Sequence, residues 1–132
     1  MNFNLLVEIS PGELLDKLTI LQLKSEKIDV VEKLNNVLNE RNILQETWVK
    51  SPFASFNVES QIKELYDINS VIWNLEDLLR DKERTKQFDD EFITAARSVY
   101  VSNDKRAKIK REINEILGSN VIEEKSYTDY NK

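Results

Sequence analysis

The chain has 132 residues, 33% of them charged, with 24 acidic against 19 basic side chains and a net charge of −5. Cysteine and histidine are both absent, which excludes disulfides, thiol nucleophiles, the usual zinc sites and imidazole acid–base catalysis. Two glycines and two prolines suit long helices and leave too few turns for a sandwich or barrel.

The first nine residues read as an extended arm. Phe3 to Ile9 is rich in strand formers, and a short pairing with Asn120–Glu123 is one arrangement open to it, though a pair that small needs helix support. Ser10-Pro11-Gly12-Glu13 then reads as a complete helix start. Ser10 caps free amides, Pro11 suits the first helical position, and Glu13 can reach back to the Ser10 amide. Ile9 and Leu14 are placed to form a hydrophobic staple.

From there Leu14, Leu18, Leu21, Ile28, Val31, Leu34, Leu38, Leu44 and Trp48 recur at steps of mostly three or four. They predict one long helix over 10–50, with Ser25 or Asp29 as places for a kink or second cap. Ser51-Pro52 breaks it, because a residue before proline resists helical geometry. A second helix over 57–86, capped by Asn57, carries Ile62, Leu65, Ile68, Ile72, Leu75 and Leu79. It should run antiparallel to the first element.

A third helix over 89–117 starts at Asp89, with Phe88 set to staple onto Ile93, and ends at Gly118. Its stripe passes through Phe92, Ala96, Val99, Asn103, Arg106, Lys110, Ile113 and Leu117. Three polar residues interrupt it. A break near 102–104 would rotate the face and remove the puzzle. The residues 119–132 show no helical stripe and read as an extended tail. The whole is an all-α single domain, an antiparallel bundle of long helices with extended ends.

Three places put polar side chains beside an apolar seam. Glu13, Asp16, Lys17 and Lys24 lie on the opening helix, where Glu13 and Lys17 are spaced for a surface ion pair. Asn69, Trp73, Glu76, Asp77 and Arg80 lie on the second. Their carboxylates do not supply the two acidic pairs of an all-helical magnesium enzyme, so no metal and no cofactor is expected. On the third helix, the alternative to a break at Asn103 is an anion pocket inside the bundle. There Arg97, Arg106 and Lys110 would bind a carboxylate or phosphate.

The acidic surplus disfavours nucleic acid, despite the basic run Lys105–Arg111. No apolar run approaches the ~18 residues of a membrane span. The N-terminus also lacks the pattern of a signal peptide, so a cytoplasmic protein is expected. A continuous first helix would offer ~55 Å of apolar edge, more than the other helices cover, which predicts a homodimer.

Six phrases carry a resemblance. They are Glu8–Leu21 (EISPGELLDKLTIL), Ile72–Asp77 (IWNLED), Ala96–Tyr100 (ARSVY), Asn103–Arg106 (NDKR), Lys110–Asn114 (KREIN) and Glu123–Tyr127 (EEKSY). In this order the chain resembles a bacterial family of short helical proteins with a domain of unknown function, found also in marine microbes and phages. The resemblance implies no activity, but it implies an association with glycosyltransferase or surface-polysaccharide genes. Function is therefore read as a non-enzymatic interaction or accessory module with a protein partner. The alternatives are a small helical enzyme or binder for an anionic metabolite, and nucleic-acid binding through 105–111.

Overall fold

A computed structural model describes residues 3–131. Met1, Asn2 and Lys132, the outer ends of the expected arm and tail, lie outside the described residues. Four helices make up an all-helical bundle: α1 (Pro11–Lys27), α2 (Val31–Lys50), α3 (Glu59–Arg84) and α4 (Asp90–Leu117), with a 3-10 turn at Pro52–Ser55 between α2 and α3. No strand forms among the described residues, so the arm and tail do not pair as a sheet.

The start of α1 follows its sequence in part. Ser10 Oγ accepts the Glu13 amide at 3.1 Å, and Pro11 occupies the first turn. Glu13, however, does not turn back to Ser10. Its carboxylate is taken by Lys110 of α4 at 2.5 Å, a charge-assisted bond that outcompetes a local one.

The single rod expected over 10–50 is two helices. Ile28 and Val30 adopt extended backbone, and α2 folds back on α1 as a hairpin. Arg41 Nη1 donates to Gln22 Oε1 at 3.0 Å, and Trp48 near the end of α2 reaches the core formed with Leu15 and Leu18. The reversal has no proline or glycine and no side-chain cap at Val30; Asp29, one of the two places named for a kink or second cap, lies at its centre. The reversal also removes the long edge on which the homodimer was first argued.

The expected break near 102–104 is absent, since α4 is continuous from Asp90 to Leu117. Asp89 Oδ1 accepts the Phe92 amide at 3.0 Å. Phe88 packs edge-on against Phe92, centroids 5.2 Å apart, and both Phe88 and Ile93 stay exposed. Gly118 ends the helix in the left-handed region (φ 66°, ψ 42°), where a side chain would be strained. At the start of α3, Asn57 Oδ1 accepts the Glu59 amide at 3.2 Å.

Helices α3 and α4 run antiparallel, as three cross-links show: Gln61 to Glu112, Asn69 to Arg106, and Lys82 to Asp89. The core sits toward one end of this pair. Leu14, Leu15 and Leu18 of α1 meet Val58, Leu65, Ile113 and Leu117 there. Helix α1 is wedged against all three other helices and buries residues on nearly every side. Helix α2 buries only Val37.

Candidate anion site between α4 and the tail

The polar interruption in α4 is resolved by a buried network spanning three helices. Asp16 and Thr19 face it from α1, Asn69 from α3, and Asn103, Arg106 and Lys110 from α4. Asn69, only 4% exposed, donates from Nδ2 to Asp16 Oδ1 at 2.8 Å and to Thr19 Oγ1 at 2.9 Å. Its Oδ1 accepts from Arg106 Nη1 at 2.9 Å. Arg106 Nη2 donates to Asn103 Oδ1 at 2.8 Å. One amide thus turns its donor to a carboxylate and its acceptor to a guanidinium, which suits both charges.

Lys110 lies one turn further on and is differently placed. Its side chain is 14% exposed, and its ammonium is 2.5 Å from Glu13, 3.2 Å from Glu123 and 3.9 Å from Asp16. Burial pulls its pKa down, but the Glu13, Asp16 and Glu123 carboxylates outweigh that and raise it above the ordinary lysine value. Among the described residues no acidic cluster is arranged for a metal ion, and these three carboxylates converge on an ammonium.

A close approach fixes α1 against this face. The Gly12 amide donates to Asn114 Oδ1 at 2.7 Å. A Cβ at Gly12 would lie 2.5 Å from the Lys110 carbonyl oxygen and 2.8 Å from Asn114 Oδ1. Only glycine fits without moving a backbone.

The tail completes the site. After Gly118 reverses the chain, residues 119–130 run back along α4. Glu123 meets Lys110, Glu124 meets Arg111 at 3.4 Å, and Tyr130 packs edge-on against Tyr100 with centroids 5.2 Å apart. Lys125 lowers the pKa of Glu123, as does Lys110. Tail and helix enclose a cleft of about 470 Å³ whose floor includes Arg106 and whose walls include Tyr100, Tyr127, Tyr130 and Lys125. Among the described residues Arg106 forms no ion pair, only the two bonds to asparagine oxygens. No buried side-chain polar atom lacks a partner among the described residues, so the Nε of Arg106, which makes no hydrogen bond, is not fully buried.

The basic run 105–111 is consumed in part from within. Lys110 and Arg111 are ion-paired to glutamates and Arg106 is bonded to asparagines. Lys105 and Lys108 of the run stay exposed.

A family model described as a family of unknown function (DUF6165) matches residues 5–131. The chain belongs to this family. No curated protein and no solved structure matches it. In this member of DUF6165, the structure brings together Glu13, Asp16, Asn103, Arg106 and Lys110. It does not bring Arg97 into the network; Arg97 is exposed and lines an adjoining groove with Ser98 and Lys105 that shares Tyr100 and Tyr130 with the cleft. Lys17 is exposed, 4.0 Å from Glu13. Glu76 pairs with Arg80 along α3, Asp77 is exposed, and Trp73 is half-buried outside the network. Thr19 and Asn114 also belong to the site; they fall within the phrases Glu8–Leu21 and Lys110–Asn114, but neither is singled out there as a site residue. Asn69 does carry a signal: it occupies a seam position between Leu65 and Ile72, where an apolar residue is expected.

A second cavity, more apolar, lies between α1, α2 and α3. Leu15, Leu18, Trp48, Ile62 and Tyr66 line its about 660 Å³. No helix of the described residues is long and apolar enough to cross a membrane.

Proposed function

We propose that the protein is a non-enzymatic helical binding module that takes a small anionic ligand, a carboxylate or phosphate, at Arg106. One observation supports this above the others. A half-buried guanidinium is held in a fixed orientation by two neutral asparagines, without a carboxylate partner, at the floor of a cleft. Buried charges are normally paired, so a guanidinium without a carboxylate partner is suited to receiving an anion. Lys110, already surrounded by carboxylates, positions the tail through Glu123 rather than meeting the ligand. Arg97 has no part in this reading.

The test is ligand-induced thermal stabilisation with inorganic phosphate and acetate. Ligand at about a hundred times its Kd should raise the melting temperature by roughly 5–10 °C. Arg106→Gln should abolish the rise while circular dichroism still shows a helical fold. A rise that survives in the variant contradicts the reading.

A homodimer accompanies this proposal, now supported by the exposed apolar residues Val71 of α3, Ile93 of α4 and Phe88 in the turn between them. Sedimentation as a monomer at micromolar concentration would refute it. A cytoplasmic location and a bacterial or phage source are part of the same reading, resting on the charge-rich composition and the sequence phrases. An accessory role in surface-polysaccharide systems rests on those phrases alone.

A further inference from the structure

The geometry points to a singly charged aromatic carboxylate as the ligand class of the Arg106 cleft, an inference that rests on the anion-binding reading above. Two features of the cleft select for it. The first is charge. Arg106, Lys110 and Lys125 face the cleft, but so does Asp104, and Glu13, Asp16 and Glu123 crowd Lys110 within 4.0 Å. Lys125 is itself 3.0 Å from Glu123. Counted with Lys17, 4.0 Å from Glu13, four cations meet four carboxylates, and every cation except Arg106 already has a carboxylate within 4.0 Å, so Arg106 can accept one negative charge while a second finds no unpaired cation. Polyphosphates and dianions are thereby disfavoured, and a planar carboxylate matches the flat guanidinium fork.

The second feature is aromatic surface. Three tyrosines stand around one arginine, Tyr100 from α4 and Tyr127 and Tyr130 from the tail. Tyr100 and Tyr130 are already packed edge to face, and the nearby Asp104 carboxylate raises the pKa of the Tyr130 phenol. Tyr127 leaves 79% of its surface exposed beside the cleft, with Lys125 Nζ 5.8 Å from its ring centroid. Rings so placed offer faces and edges on which a flat ligand packs, at a small entropic cost to side chains with few rotatable bonds. A volume of about 470 Å³ lies within the range of small-molecule sites.

Calorimetric titration of the full chain with benzoate, acetate, phthalate and inorganic phosphate tests this. Benzoate should bind about tenfold more tightly than acetate, and more tightly than phosphate or the dianion phthalate. In a Tyr127→Ala, Tyr130→Ala variant, whose changes fall on exposed tail residues, benzoate and acetate should bind within about twofold of one another. If acetate or phosphate binds, depends on Arg106, and benzoate is no tighter, the aromatic inference fails and the anion reading stands. If phthalate or phosphate binds more tightly than benzoate, the single-charge argument fails. If none of the four binds, both readings fail.

Discussion

The two halves of the α3–α4 hairpin are built from similar sequence and packed very differently. In the inner half, α1 lies across both helices, so Leu65 and Ile113 are fully buried and Asn69 and Asp16 share a dry network. In the outer half, beyond about Val71 and before about Val101, Ala95 is the only fully buried apolar residue and Val71, Phe88 and Ile93 stay exposed. That end is held by half-buried apolar residues such as Leu75 and Leu79, by an aromatic contact and by the Lys82 pairs with Asp89 and Glu91. The lesson is that a heptad stripe supplies a face, and a third helix decides whether the face becomes a core. Burial also permits the polar site: its charges are oriented because α1 excludes water from one side of them.

The comparison is broken most severely at its packed end. Leu65→Ala, at a fully buried position, should cost about 3 kcal/mol in thermal or chemical denaturation. Gly12→Ala should follow at about 2 kcal/mol, because the new Cβ meets a backbone oxygen that cannot swing away and α1 must lift from α4. Leu75→Ala in the half-buried outer part should cost only about 1 kcal/mol. Equal losses at Leu65 and Leu75 would show that the two halves are equally packed.

The smallest effect is on pH dependence. Lys110 has a folded pKa above its usual value, so its charged form contributes stability that is fully present below the unfolded lysine pKa. That contribution is lost as pH rises through the folded value. The melting temperature should therefore fall less between about pH 10 and about pH 12 in Lys110→Met than in the wild type. An unchanged alkaline slope would mean that the ring of carboxylates around Lys110 is not coupled to folding.

Much of the fold was legible because its punctuation is local. Ser10, Asp89, Ser51-Pro52 and Gly118 each act through neighbours within a few residues, and each does in the structure what its chemistry suggests. The hinge at Ile28–Val30 was marked only by Asp29, as a place for a kink or second cap and not for a full reversal, because extended backbone there is specified by the return of α2 onto α1 rather than by a breaker. At the site, the sequence marks where polar residues interrupt a stripe, at Asn103, Arg106 and Lys110. It does not reveal what meets them, since Asn69, Asp16 and Glu13 arrive from other helices. The interruption was thus open to being read as a break. Arg97 misled for a geometric reason: nine residues at about 100° each place it on the opposite face of a continuous helix from Arg106.

The central claim is that Arg106 alone among the arginines of α4 is held ready for an anion. Nitrogen-15 spectroscopy of the arginine Nε–H groups during titration with acetate tests it most directly. The account predicts a saturable shift of the Arg106 resonance while Arg97 and Arg111 stay in place. Uniform, unsaturating drift of all three with added salt would contradict it.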